Sequence, residues 1–214
     1  MIAHEGNIIV IPLFILTVIL FFFQNRSSSR VRYIFYLSLS FLLFSLYFFR
    51  DPQRTGHLKY SESHFLSPAD GKVVMIKNIK DDEIGEAIRL SIFLSVFNVH
   101  KQIVPISSRG VDSRCDSGLN LAAFADEASD LNVSCTATLQ TEEGFKYKIK
   151  QITGLIARRI TNYINKDELY LRGDRLGFIR FGSRVDIVLP KEFKLHVNLG
   201  DNLIGGESVI GVVD

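Results

Sequence analysis

Cysteine is scarce in this chain: Cys115 and Cys135 stand far apart, with no C-x-x-C pair. That excludes a disulfide framework and a zinc signature, and it reads both residues as free structural thiols. The five histidines (His4, His57, His64, His100 and His196) show no ligand spacing, so no metal is expected. An excess of charge is lacking too. The formal net charge is +2, and beyond residue 49 basic and acidic side chains balance. A nucleic-acid-binding surface leaves no electrostatic footprint in such a chain. Internal repeats and low-complexity tracts are absent.

Charge is thinnest at the start. Residues 1–49 contain Arg26, Arg30, Arg32 and Glu5, and otherwise two apolar runs, Asn7 to Phe23 and Tyr33 to Phe49. Each run allows roughly 25 Å of helix, the lower limit for crossing a bilayer. The first run has no basic flank before it and no small-residue cleavage site after it, and a second apolar run follows closely, which makes a cleaved signal peptide a poor reading. Neither run has an amphipathic stripe of the kind a buried core hairpin carries. The pattern predicts a membrane-associated hydrophobic hairpin over 1–49, with Gln24 to Arg32 as its loop, and places the protein at the cell membrane. Three arginines in the loop favour a cytoplasmic loop. A hairpin dipping into one leaflet would instead put loop and following domain on one face.

From Arg50 to Phe65 the sequence is a polar juncture, and beyond it short strands alternate with turns. Strands are predicted at Lys72 to Ile76, Ala87 to Ser95, Phe178 to Leu189 and Glu207 to Val213. A hairpin is predicted from the alternation around Val133–Leu139 and Phe145–Ile149, turning at Glu142-Glu143-Gly144. Leu119 to Leu131 is the one helix candidate. The fold class is therefore mainly β (α+β), with a domain over 50–214. Two turn–strand units, Ser67 to Val73 and Leu199 to Ile210, resemble those of barrel-sandwich carriers of lipoyl or biotinyl groups. Such carriers expose a lysine usually flanked by methionine, and neither Met1 nor Met75 adjoins a lysine. The resemblance implies the fold without the carrier chemistry.

Gly182-Ser183 interrupts the alternating run Gly177 to Pro190. A glycine in mid-strand marks a bulge or a close approach of backbone. A kink there can present the Gly182 carbonyl to the Ser183 hydroxyl, the geometry of an internal acyl shift and self-cleavage; an ordinary bulge is the alternative. Asp70 lies in the turn Pro68-Ala69-Asp70-Gly71, where aspartate commonly caps its own backbone. His100 ends Phe93 to His100, which reads as a strongly apolar strand, where a structural histidine is the plainer reading. Taken together, Asp70, His100 and Ser183 supply a nucleophile, its base and a carboxylate to fix the imidazole tautomer. Arg158 and Arg159 could clamp phosphate or form a solvated edge. Arg180 and Arg184 flank the cleavage site on the strand face of Gly182, where they could hold a carboxylate or phosphate or stay hydrated.

Five segments carry a wider resemblance: Phe48 to Arg54, Ser67 to Val73, Phe97-Asn98-Val99-His100 with Pro105, Gly154 to Ile160, and Gly177 to Pro190. In order and spacing they resemble the short, archaeal-like phosphatidylserine decarboxylases over essentially the whole chain. The resemblance implies a zymogen in which Ser183 attacks Gly182 and the ester undergoes β-elimination. The products would be a β chain, 1–182, and an α chain, 183–214, which remain together as a heterodimer; a higher oligomer is compatible with this. Residue 183 becomes a covalent pyruvoyl cofactor. It would form a Schiff base with phosphatidylserine in the membrane and act as electron sink while carbon dioxide leaves. Phosphatidylethanolamine is the product. Three positions depart from the family pattern. Phe97 replaces a second histidine, Asn132-Val133-Ser134-Cys135 replaces an Asn-Glu-Arg-Asn stretch, and Ile103 replaces a basic residue. Two other functions suit the same residues. One is a membrane-anchored serine hydrolase using Asp70, His100 and Ser183; the other is a non-catalytic membrane-tethered barrel-sandwich adaptor.

Overall fold

The computed structural model describes residues 1–24, 28–119, 121, 128–154, 159–180 and 183–213. The chain divides into two compact units, Met1–Gln53 and Arg54–Asp214.

The first unit is a helical hairpin, α1 (Asn7–Phe23) and α2 (Ser29–Phe48). The second helix begins at Ser29, earlier than the apolar run that announces it, because serines and arginines are tolerated in an opening turn whose N–H groups lack intrahelical partners. The helical spans His4–Phe23 and Ser29–Phe48 are each long and apolar enough to cross a membrane. Aromatic and aliphatic side chains such as Phe14, Phe22, Tyr36 and Leu37 point outward and are exposed. The inward line of α2 is Phe35, Ser38, Leu42, Ser45 and Phe48, spaced three or four residues apart. Small polar residues on that line allow close approach. Thr17 donates to the Leu13 carbonyl at 2.7 Å, which leaves Ser38 as donor in the 2.6 Å contact between their hydroxyls. At the open end, the Ala3 N–H donates to Phe49 O (2.7 Å) and the Asp51 N–H to Met1 O (2.8 Å).

The second unit is mainly β. Its elements are α3 (Gly56–Lys59), β1 (His64–Leu66), β2 (Gly71–Asp81), β3 (Gly85–Leu94), β4 (Lys101–Ile103), β5 (Ser108–Asp116) and α4 (Ala128–Leu131). There follow β6 (Ser134–Gln140), β7 (Lys146–Ile152), β8 (Ile160–Asn162), β9 (Leu169–Tyr170), β10 (Arg175–Ile179), β11 (Ser183–Pro190), β12 (Asn202–Leu203) and β13 (Val209–Val212). Eight strands form a sheet in the order β12-β2-β3-β11-β7-β6-β5-β9, which curls into a half-barrel. A three-stranded sheet, β4-β10-β8, and the pair β1-β13 complete the unit. The predicted hairpin is β6–β7, with Gly144 at φ +92° in its turn.

β11 lies at the centre of the large sheet, and the pleat gives its two faces different contents. Val185, Ile187 and Leu189 belong to the apolar core, with Phe65, Leu90, Ile92, Leu94, Tyr147 and Ile149. Phe65 meets Tyr147 edge-on at 5.0 Å. The opposite face carries Arg184 and Asp186, both buried.

Three expectations need correction. Cys115 and Cys135 are not free thiols: they sit opposite one another in the β5–β6 ladder, with Cα atoms 4.0 Å apart, and form a disulfide. Their separation of 20 residues matches no sequence motif; only the strand register brings them together. Phe178 to Leu189 is not one strand. β10 ends at Ile179 and β11 begins at Ser183, in a different sheet. Alternation has the same period in both sheets, so it cannot mark the crossing. His100 does not end a strand either. β3 stops at Leu94, and the side-chain oxygen of Asn98 accepts from the N–H (2.9 Å) and hydroxyl (2.8 Å) of Ser95 to close a turn. Of the helix candidate, Ala128–Leu131 is helical, Leu119 bridges Asn132, and residues 120 and 122–127 lie outside the described residues.

Candidate active site

The small sheet gathers the site. Its middle strand, β10, runs toward Ser183, and its neighbours start beside that end: β4 just after His100 and β8 just after Arg159. Phe178 pairs with both Lys101 and Thr161. The N–H of Ile179 donates to the His100 carbonyl (3.3 Å), and that of Arg180 to the Arg159 carbonyl (3.2 Å). In the large sheet Ser183 lies opposite Leu94, from which the chain turns back to His100. Three stretches distant in sequence thus converge where the chain passes from one sheet to the other. Gly182 and Arg158 lie outside the described residues.

Ser183 occupies the same face of β11 as Val185, Ile187 and Leu189. It is completely buried, and its hydroxyl has no hydrogen-bond partner among the described residues. A buried hydroxyl left unpaired costs about 1–3 kcal/mol, so its place in an apolar row calls for a purpose other than stability.

His100 is also completely buried. Its Nδ1 lies 3.0 Å from the Asn98 carbonyl. A carbonyl can only accept, so Nδ1 carries the proton in that bond and Nε2 is the basic nitrogen. Asn98 therefore does for the imidazole what the sequence assigned to Asp70.

Asp70 is buried, and its partners lie far along the chain. Arg54 donates to it with both terminal nitrogens, at 2.8 Å for Nη2–Oδ2 and closer still for Nη1–Oδ1. The N–H of Gly205 donates to Oδ1 (2.9 Å) and that of Val99 to Oδ2 (3.4 Å). Asp70 thus touches the histidine segment through its backbone, one residue ahead of the ring. It neither caps its own turn nor contacts the imidazole among the described residues. Gly71 follows with φ +149°, and a Cβ there would stand 2.3 Å from the Phe93 carbonyl, so only glycine lets β2 start this close to β3. The two turn–strand units noted in the sequence meet here: the Ser67 N–H donates to Ser208 O (2.7 Å) and the Gly206 N–H to Ser67 O (2.8 Å). Arg54 was in one of the resembling segments, but nothing in its spacing pointed to Asp70.

The arginines separate. Arg159 is exposed. Arg180 is half-buried, and its Nε is buried without a partner among the described residues. Arg184 is not beside Arg180 on a shared face, because the strand that would have aligned them is broken. It is completely buried, with Nε 2.7 Å from Asp186 Oδ1 and Nη2 2.8 Å from Ser91 Oγ. Ser129 of α4 donates to the other Asp186 oxygen at 2.6 Å. That arginine belongs to an internal ion pair. A small cleft beside Asp70 is lined by Arg54, Lys101, Ile103 and Gly205. A larger cleft of about 450 Å³, lined by Glu62, Ile106, Glu142 and Leu171 among others, includes none of these site residues.

The family model for phosphatidylserine decarboxylase matches residues 41–211. A phosphatidylserine decarboxylase proenzyme of Pelobacter propionicus is 40% identical over 212 residues, covering 98% of this chain and 96% of the relative. That of Syntrophus aciditrophicus is 37% identical, with the same coverage. That of Amoebophilus asiaticus is 42% identical over 173 residues, 80% of this chain and 76% of the relative. Neither a serine hydrolase nor an adaptor finds support among these relatives. With the match spanning both the convergent loops and the Gly-Ser junction, this chain belongs to the phosphatidylserine decarboxylase family.

Proposed function

We propose that the chain is made as a proenzyme, cuts its own backbone between Gly182 and Ser183, and then converts phosphatidylserine to phosphatidylethanolamine and carbon dioxide. The observation that carries this reading is the Ser183 hydroxyl, buried and without a partner among the described residues at the start of β11. The Oγ attacks the Gly182 carbonyl carbon; an Oγ–C bond forms and the peptide C–N bond breaks, giving an ester and a free amine at residue 183. Loss of the Cα proton and of the Gly182 carboxylate, which leaves with Oγ, yields an enamine. Tautomerisation and addition of water release ammonia and leave a ketone. Serine does not attack unaided, and His100, with Nε2 as its basic nitrogen, is the base we assign. Asp70 and Arg54 hold the segment that carries it, through Val99.

The residues fit the pyruvoyl group implied by the family, because residue 183 heads a buried strand whose neighbours exclude water. Once formed, that group supplies an electron sink for decarboxylation of an amine-bearing carboxylate. Arg159 and Arg180 are the described residues suited to the phosphate or carboxylate of the headgroup, Arg158 standing next to them in sequence. Arg184 is withdrawn from this role by its burial. The hairpin over 1–49 serves as the membrane anchor and 50–214 as the catalytic domain, self-cleaved into 1–182 and 183–214 chains that stay associated. A lipid substrate is met at the bilayer, which suits a location at the cell membrane.

Denaturing electrophoresis with intact mass measurement tests this. Two pieces are expected, the smaller beginning at residue 183 and lighter than a serine-started peptide by the mass of ammonia. Ser183→Ala should abolish both cleavage and carbon dioxide release from phosphatidylserine vesicles. One unbroken chain in a preparation that releases carbon dioxide would falsify the proposal.

A further inference from the structure

Behind His100 lies a line of amides. Gln102 and Gln151 are completely buried. Gln102 Nε2 donates to the His100 carbonyl at 2.7 Å. Gln151 Nε2 donates to Gln102 Oε1 (2.9 Å) and also approaches the Thr161 carbonyl (3.3 Å). Asn162 Nδ2 donates to Gln151 Oε1 (3.0 Å), and the line ends where the Ile164 N–H donates to Asn162 Oδ1 (2.9 Å). Each amide points its donor toward His100 and its acceptor away, so the line has one direction.

The strand register explains how it is built. In the small sheet, Gly177 of β10 is the direct partner of both Gln102 on β4 and Asn162 on β8. All three side-chain positions fall in one row, and the middle one is empty. Gln151 belongs to β7 of the large sheet and fills that gap. A Cβ on Gly177 would stand 2.5 Å from Gln151 Nε2 and 2.2 Å from the Thr161 carbonyl, so any larger residue would expel the amide. An apolar side chain would fill the same gap without leaving polar atoms to satisfy. Two completely buried amides backed by a half-buried third are a costly choice for a core unless each bond is made, and the bond they end on is the backbone of the base.

We propose that Gln102, Gln151 and Asn162 are positioning residues for self-cleavage: by holding the His100 carbonyl from one side, while the Ile179 N–H holds it from the other, they keep the imidazole in place for Ser183. The proposal rests on self-cleavage at Ser183 as read above. It explains why the two sheets are tied by polar groups beside Gly177, on the strand that leads to the cleavage site.

The test uses the full-length chain. Gln102→Glu keeps the shape and the acceptor but replaces the donor with a carboxylate oxygen facing the His100 carbonyl. Folding is measured by thermal melting in a Ser183→Ala background, where no variant can cleave. Processing is measured as the rate of chain splitting per folded molecule, relative to wild type, across pH. The expected result is a variant that folds but splits more slowly by roughly tenfold or more at neutral pH, the scale of a small misplacement of a catalytic group. Its rate relative to wild type should recover as pH falls, because the protonated carboxyl regains a donor and burial raises the pH at which it does so. Asn162→Asp, at the far end of the line, should fold and split more slowly too, and it decides the matter if Gln102→Glu does not fold. Wild-type rates with an unchanged pH profile would overturn the relay, as would loss of folding in both variants. A wild-type chain that never splits would instead overturn the self-cleavage reading beneath it.

Discussion

Removing the Asp186 carboxylate is the most direct way to learn what Arg184 does. In the Asp186→Ala variant, Arg184 keeps its bond to Ser91 but loses the 2.7 Å bond from Nε, and Ser129 loses its acceptor. Asp186 is 1% exposed and Arg184 fully buried, so water cannot replace what is lost. Breaking a buried pair from one side costs about 3–5 kcal/mol, because the surviving charge stays in a poor solvent. At about 2–4 °C per kcal/mol for a domain of this size, the melting temperature should fall by roughly 6 to 20 °C. The assay is thermal unfolding of the detergent-solubilised chain followed by circular dichroism, in a Ser183→Ala background so that a single unbroken chain is melted. A paired replacement, Arg184→Met with Asp186→Leu, removes both charges and fills the space with apolar groups. It should recover most of the loss, since such swaps are often neutral or stabilising. An Asp186→Ala chain that melts within about 2 °C of its parent would show that the guanidinium has access to solvent. Arg184 would then return as a candidate for holding the substrate.

Two further outcomes follow from the same unit. The disulfide predicts that Cys115 and Cys135 resist alkylation in unfolded but unreduced protein and react after reduction; replacing both by serine should cost about 2–4 kcal/mol of stability. Labelling of both thiols before reduction would refute it. Burial alone would raise the carboxyls of Asp81 and Glu83, but hydrogen bonds and charge from Lys148, with help from Lys146 at Glu83 and from the Glu83 and Ile84 N–H groups at Asp81, hold both below their ordinary values of 3.8 and 4.5. Lowered carboxyls contribute stability that is present above those values and is lost as pH falls below them. Lys148→Met should therefore lose stability at neutral pH and show a flatter decline below pH 4.5; a decline as steep as the parent's would count against the pairing.

Several features were legible because one physical signal reported each. The absence of charge from Asn7 to Phe23 and from Tyr33 to Phe49 requires an apolar setting, and both helices follow from it. Alternation with glycine turns specified the strands β6 and β7 and the hairpin between them. The Gly-Ser junction, Asp70 and His100 could be singled out because polar groups in apolar or tight-turn settings need partners. Which partners they have was decided elsewhere. Periodicity of two is the same in every sheet, so the passage from β10 to β11 was invisible, and with it the separation of Arg180 from Arg184. Register between strands is a long-range choice, and it alone put Cys115 opposite Cys135 and opened the row beside Gly177 for Gln151. Asp70 proved to belong to Arg54 and Gly205, and the imidazole to the Asn98 carbonyl, because a buried donor or acceptor bonds to whatever group packing brings within 3 Å or so, whatever its distance along the chain. Local sequence determined which residues needed a partner; the tertiary structure, by fixing distances that sequence separation does not encode, decided which partner each received.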